Sequence, residues 1–315
     1  MPRVPFRYVD GVFVGRHFAE ENIREALAYK PRPDDVFIVG YPKSGTTWMQ
    51  YIVYYIFNNG TPQESSEEFA SKTPFFELLG QEAVENLPRP AAIKMHQTFE
   101  KQPFNKDAKY VYIARNPFDC CVSFYHHARY FPTYEFQDGT FEEFFEDFIQ
   151  GQLDFGDYFD HLLSWYPHRN DANVLFVTYE DLRTHTRTWI QKIADFLGSE
   201  YGDRLRAEPD CMERILEYTS VEYMQKTKCS PMLELERKFV DVPQDQWPRS
   251  IQRYVRCCGD ISRKKSVGRF VRKGKVGDYA NDFTPEQMKR MKDWIASRTA
   301  GSDVMKPWQD LKWMK

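Results

Sequence analysis

The residues Tyr41-Pro42-Lys43-Ser44-Gly45-Thr46-Thr47-Trp48 stand between an apolar run, Val36 to Tyr41, and an apolar stretch, Trp48 to Phe57. At a strand–loop–helix junction of this kind, several free backbone N–H groups and the positive end of a helix dipole face one spot. Gly45 lets the chain pass close to an anion, Ser44, Thr46 and Thr47 add hydroxyl donors, and Lys43 adds a full positive charge. This chemistry grips a phosphate. The loop is not a Walker A motif, because its Lys precedes its only Gly, and a nucleotide kinase is demoted accordingly. The plainer alternative is a capped helix start with an incidental lysine.

Two further sets of residues carry chemistry. His96 directly follows the run Ala91 to Met95, with Lys94 two positions earlier. Alternate strand residues face the same side. An imidazole, with an ordinary pKa of about 6.5, suits proton removal near neutral pH. Arg115 follows the apolar run Lys109 to Ala114, with Pro117 at a helix start and Ser123 farther along that helix. An arginine grips a phosphate with two parallel bonds, and a serine hydroxyl adds a short-range donor. A basic segment, Arg263, Lys264, Lys265, Arg269, Arg272, Lys273 and Lys275, reads by itself first as a solvated face or a nuclear localisation signal, and only then as an anion clamp.

The elements that must position these groups alternate short β-branched and aromatic runs with longer helical patterns, which predicts a parallel sheet covered by helices. Strands are expected at Val36–Tyr41, Ala91–Met95, Lys109–Ala114 and Asn173–Thr178. Helices are expected at Ser44–Asn58, Pro117–Tyr130, Phe141–Gln150, Tyr158–Trp165 and Leu182–Leu197. Thr284 before Pro285 marks another helix start, with a run to about Ser297. The stretch 229–279 is rich in Pro, Gly and charge without a sustained period, and reads as a long loop or lid. With no composition break elsewhere, the expectation is one α/β domain over 1–315, a central mostly parallel sheet flanked by helices.

The 42% hydrophobic and 28% charged composition is that of a globular protein with a core, and the net charge of -3 argues against a general nucleic-acid binder. No apolar run has the length of a signal peptide or a spanning helix, so no membrane association is expected. The six cysteines form no repeating framework and the seven histidines no HExxH motif, which points to reduced thiols, a cytoplasmic location and no metal. Aromatics, at 16%, supply a core and the walls of an apolar pocket.

Taken together, YPKSGTTW resembles the 5'-phosphosulfate loop of the cytosolic sulfotransferases. The resemblance runs almost end to end: Pro33-Asp34-Asp35, Lys94-Met95-His96, Arg115-Asn116-Pro117 to Ser123-Phe124-Tyr125-His126, Tyr179-Glu180-Asp181, and Arg272-Lys273-Gly274-Lys275-Val276-Gly277-Asp278-Tyr279. It implies transfer of a sulfuryl group from 3'-phosphoadenosine 5'-phosphosulfate (PAPS) to a hydroxyl, leaving 3'-phosphoadenosine 5'-phosphate (PAP). His96 takes the proton, Lys43 neutralises the leaving phosphate and Lys94 stabilises the transferring group. Lys43, Ser44, Gly45, Thr46 and Thr47 hold the 5'-phosphosulfate. Arg115, Ser123, Arg272, Lys273 and Gly274 hold the 3'-phosphate. Trp48, Tyr179 and Thr219 flank the adenine. Ser123 is also placed to restrain Lys43 until an acceptor binds. Phe18, Phe75 and His127 match acceptor-pocket positions, while His161 packs.

The chain departs from the family pattern at two points. Val221 stands where the family commonly has Phe, which implies weaker adenine stacking on that side or stacking by another ring. His96-Gln97-Thr98-Phe99 replaces the frequent His-Leu-Pro, reshaping the pocket beside the base. The acceptor expected is a phenol, an aromatic amine alcohol such as a catecholamine, or a sterol-like or retinoid alcohol. Glu135 is one residue that would attract an amine. The usual family dimer segment is missing between Lys289 and Lys315, so monomer and homodimer both stand. A nucleotide-dependent phosphotransferase and a non-catalytic small-ligand carrier on the same fold are the competing readings, and sulfation that primes an allylic alcohol for elimination is a variant of the first.

Overall fold

In a computed structural model of the chain, the structure describes residues 6–227, 242–264, 266 and 268–310. The chain opens with an antiparallel hairpin, β1 (Phe6–Val9) and β2 (Val12–Gly15). Asp10 and Gly11 form its two-residue turn with φ of 47° and 77°. Two successive positive φ values match the twist of the flanking strands, and an Asp-Gly pair tolerates them.

The central sheet holds β3 (Val36–Val39), β4 (Ala92–Met95), β5 (Lys109–Ala114) and β6 (Val174–Thr178), in the order β4-β3-β5-β6, and every pairing is parallel. Parallel strands need both faces covered, and their residues show it. Phe37, Val39, Tyr110 and Tyr112 pack into one aromatic-rich core, whereas Ile38, Val111, Ile113 and Val177 pack into another with the helix Thr46–Phe57. A third cluster joins the hairpin residues Val12 and Val14 to Phe18, Ile23 and Phe155.

The sequence pattern places these four strands within one or two residues of where they lie, and the helices Pro117–Tyr130 and Tyr158–Trp165 as they stand. Thr284 caps the helix Pro285–Arg298 with a reciprocal capping box to Gln287. Two expectations change. The helix anticipated over Leu182–Leu197 is split at His185 into Tyr179–Thr184 and Thr186–Leu197, and starts earlier because Thr178 caps it by accepting from the Asp181 N–H. The stretch read as loop contains a helix, Arg249–Cys258. Its apolar stripe, Ile251, Tyr254 and Cys258, is interrupted by arginines that pair elsewhere: Arg253 with Glu25 at 2.8 Å and Arg256 with Glu21 at 2.6 Å. Of that stretch, 229–241, Lys265 and 267 lie outside the described residues.

Each central strand delivers a candidate functional residue just past its carboxyl end: the Lys43 loop after β3, His96 after β4, Arg115 after β5 and Tyr179 after β6. The strand order reverses direction at β3, which is where open parallel sheets form a ligand crevice.

Candidate active site

The loop after β3 folds as a cradle. Lys43 and Gly45 both adopt left-handed backbone, with φ of 71° and 111°. A Cβ on Gly45 would lie 2.8 Å from Tyr179 Cδ2 and 3.1 Å from Ile113 Cδ1, so the position demands glycine for space as well as conformation. The helix Thr46–Phe57 starts without a side-chain cap, leaving its first N–H groups to a ligand. Ser44 departs from expectation. It is buried and does not line the cavity that Lys43, Thr46 and Thr47 line; its N–H donates to the Tyr41 carbonyl at 3.1 Å, which turns it inward.

Lys43, Lys94, Arg115 and Arg272 open into one cavity of about 300 Å³. Enclosure, and then the neighbouring Lys94 and Arg115 charges, bring the Lys43 pKa down to about 7. Enclosure brings Lys94 to about 8, partly opposed by Glu77. Arg115 is 8% exposed, yet its Nε has no partner, and its two terminal nitrogens reach only the Lys43 and Lys275 carbonyls, each at 3.4 Å. Its guanidinium lies over the Tyr179 ring, 4.4 Å from the centroid. Enclosed cations this poorly satisfied need an anion. Ser123 lines the same cavity.

Arg272 and Lys273 pair with Asp278 at 2.6 and 2.8 Å, and their segment is fastened to the rest of the site. Gln225 Nε2 donates to the Arg272 carbonyl at 2.8 Å and Arg183 Nε to the Gly274 carbonyl at 3.1 Å. Across the cavity, Trp48 Nε1 donates to the Thr219 carbonyl at 2.9 Å, and Trp48 meets Tyr179 edge-on at 5.4 Å. Val221 packs against the backbone of Gly274, so close that a Cβ there would fall 2.3 Å from Val221 Cγ2. The small side chain thus brings the basic segment in where a larger ring would hold it off.

His96 is 5% exposed and held on three sides. Its N–H donates to Glu77 Oε1 at 2.6 Å, and its carbonyl accepts from His161 Nε2 at 3.1 Å. The other nitrogen of His161 bonds the Tyr112 hydroxyl at 3.0 Å, so His161 packs and braces. His96 Nδ1 bonds the Gly40 carbonyl. A carbonyl only accepts, so Nδ1 carries the hydrogen and Nε2 keeps its lone pair. Burial and then the Lys94 charge hold His96 well below the ordinary histidine value, and burial pushes the Glu77 carboxyl up to about 7.

The remaining wall is aromatic. Phe75 and Phe155 flank His96 at 5.0 and 5.2 Å, and Phe18 packs edge-on against both. Lys94 Nζ sits 4.4 Å from the Phe75 centroid. His127 also lines the cavity, and it is His127 rather than Ser123 that meets Lys43 in this structure: Lys43 Nζ lies 3.1 Å from His127 Nδ1. A serine hydroxyl is short, whereas an imidazole one helical turn farther reaches the ammonium. Glu135 is not among the lining residues and pairs with Arg16, which leaves it no role toward an amine in the cavity. Sequence reasoning missed His17, Phe131, Tyr134, Asp154, Phe155 and Phe270, all of which line the cavity. Only His17, beside Phe18, carried a local signal. Among the described residues, no three side chains of His, Cys, Asp or Glu converge as metal ligands, and no helix is long and apolar enough to cross a membrane.

Comparison with known proteins gives a consistent answer. A solved mouse sulfotransferase, SULT7A1 complexed with PAP, superposes with a TM-score of 0.68 at 26% identity, over 96% of each chain. Retinol dehydratase in complex with androsterone and inactive cofactor PAP superposes with a TM-score of 0.66 at 26% identity, over 95% of this chain and 91% of that one. In sequence, the chain is 31% identical to sulfotransferase 1C2 of Oryctolagus cuniculus, covering 90% of this chain and 89% of the relative. It is also 31% identical to the amine sulfotransferase of the same species, over 87% and 84%. Residues 33–306 match the sulfotransferase domain, and the chain belongs to the sulfotransferase family.

Proposed function

We propose that the protein transfers the sulfuryl group of PAPS to the hydroxyl of a small aromatic molecule, with His96 as general base. The observation that carries this reading is the convergence of Lys43, Lys94, Arg115 and His96 on one cavity, each from the carboxyl end of a strand or the loop after it. PAPS carries two anionic groups, and two separate sets of cations are present. The Lys43 loop with the uncapped helix start suits the 5'-phosphosulfate, and Arg115 with Ser123, Arg272 and Lys273 suits the 3'-phosphate. Trp48, Tyr179 and Thr219 border the space between for the adenine.

When bound, PAPS supplies a sulfur already joined to a good leaving group. The bond from sulfur to the bridging phosphate oxygen breaks, a bond from sulfur to the acceptor oxygen forms, and the acceptor's proton passes to His96 Nε2. Lys43 meets the negative charge that develops on the phosphate, and Lys94 meets the charge on the sulfuryl oxygens. Burial, and after it the Lys94 and Lys43 charges, depress His96. Anions beside Lys43 and Lys94 offset that depression, so the base strengthens when the donor is in place.

Phe18, Phe75, Phe131 and Phe155 favour a phenol or another flat alcohol. The catecholamine reading loses support. Glu135 is taken by Arg16, and among the described residues the one carboxylate lining the cavity, Asp154, is already bonded by Tyr134 and Gly15. The test is transfer of labelled sulfate from PAPS to phenols, monoamines, sterols and retinoid alcohols. A sulfated product formed by the wild type and lost in His96→Ala supports the reading. Tight PAP binding without transfer to any acceptor would leave a carrier in its place.

A further inference from the structure

His96 and His127 face the same cavity with opposite hydrogen-bonding characters. His96 Nδ1 bonds a carbonyl, which fixes its Nε2 as a lone pair. His127 Nδ1 instead lies 3.1 Å from Lys43 Nζ. Beside a bound anion, which favours its charged form, Lys43 is an ammonium with hydrogens and no lone pair, so Nδ1 accepts and the hydrogen of a neutral ring sits on Nε2. Burial and the Lys43 and Lys94 charges keep the ring neutral. One histidine therefore presents an acceptor to the cavity and the other a donor.

A run of aromatic rings joins the two. Phe75 and Phe155 contact His96, and Phe18 joins them to His17 at 4.4 Å. His17 meets Tyr134 at 4.9 Å, and Tyr134 meets His127 at 5.6 Å. Phe131 and Phe270 complete the His127 side at 4.7 and 5.9 Å. His127 is thus a donor in an aromatic wall, joined to the base through a run of ring contacts.

We propose that His127 Nε2–H donates a hydrogen bond to a second oxygen on the acceptor, so that the protein selects aromatic alcohols that carry a hydrogen-bond-accepting oxygen besides the reacting hydroxyl. This rests on the reading of the cavity as the acceptor site. Lys43 does not have to leave His127 to meet a phosphate, because its three hydrogens can serve both partners. Bare phenols leave the His127 hydrogen unmet in a largely apolar wall, and a site built around a polar partner discriminates against ligands that lack it.

The experiment is equilibrium binding, to the PAP-loaded protein, of methoxyphenols against ethylphenols in the ortho, meta and para positions. Each pair matches in size and nearly in acidity and differs in one accepting oxygen. The wild type is expected to bind the methoxy member about five- to tenfold more tightly at one ring position. His127→Phe should bring that ratio to within about twofold, and His127→Gln, which keeps both an acceptor for Lys43 and an N–H donor, should restore most of it. A ratio near one at every position in the wild type, or a preference that survives His127→Phe, overturns the proposal. Phenols that bind without preference would leave the sulfotransferase reading standing, whereas PAP that fails to bind, or phenols of neither kind binding beside PAP, would remove the acceptor site and the proposal together.

Discussion

Asp119, in the first turn of the helix Pro117–Tyr130, accepts a hydrogen bond from the backbone N–H of Gly277 at 2.7 Å, across 158 residues of sequence. Its other oxygen accepts from the Tyr279 N–H at 3.1 Å, and Asn116 Nδ2 adds a third bond at 2.9 Å. One buried carboxylate therefore joins the helix that follows Arg115 to the segment that carries Arg272 and Lys273. The two halves of the proposed 3'-phosphate clamp are far apart in the chain, and Asp119 fastens them together, beside the contact of Arg115 with the Lys275 carbonyl.

Asp119→Ala should thus weaken donor binding without removing any group that touches the donor. Two backbone N–H groups lose their acceptor, and the buried one, that of Tyr279, costs about 1–3 kcal/mol when left unmet. The expected outcome is a loss of roughly 2 kcal/mol or more in denaturant unfolding and a PAP affinity at least tenfold lower. Unchanged PAP affinity, measured by calorimetry, would mean that the segment holds its place without this carboxylate.

Arg115 gives a sharper test of the clamp, because the ligand can be varied instead of the fold. Arg115→Ala should lower the affinity for PAP by about 10²-fold, in line with the loss of a charge-assisted bidentate contact. Adenosine 5'-phosphate, which lacks the 3'-phosphate, should bind both proteins within about twofold of each other. An equal loss for both ligands would move Arg115 to the 5' side of the site.

Much of this site is legible in the amino-acid sequence alone, for a physical reason. The proposed anion grip and base are local: Lys43, Gly45 and Thr46 lie within four residues, Lys94 and His96 flank one residue, and Arg115 directly follows its strand. The glycine at 45 and the turn at Asp10-Gly11 answer to backbone constraints that a few residues declare. The features that sequence does not declare depend on packing between distant segments. Asp154 gains its place only because the Gly15 N–H and the Tyr134 hydroxyl reach it, each at 2.5 Å. The helix Arg249–Cys258 is disguised by arginines whose partners lie on the helix Glu20–Ala28, and the expected Ser123–Lys43 contact gives way to His127, a matter of side-chain reach.

His96→Ala should separate chemistry from binding. The His96 N–H bond to Glu77 and the carbonyl bond from His161 are made by the backbone and survive the change. The imidazole alone is lost, so turnover should fall by about 10²-fold or more while PAP affinity stays within about threefold. Turnover near the wild-type value would remove His96 from the mechanism.

The pH dependence of donor binding follows from the two lysines. With pKa values of about 7 for Lys43 and about 8 for Lys94, both are partly deprotonated at pH 8 in the free protein. A polyanion favours their charged forms and raises both values, so binding takes up protons in the window above about pH 7. By linkage, affinity for PAP should fall as pH rises through that window, by up to tenfold per pH unit for each proton taken up. Calorimetry at pH 8 in buffers of different ionisation enthalpy should register the uptake directly, and Lys43→Arg, with a guanidinium that stays charged, should reduce it. An affinity that is flat or rises from pH 7 to 9 would mean that the lysines are fully charged before the donor arrives. The cost of burying the two ammoniums would then have to be offset within the free protein rather than by the ligand.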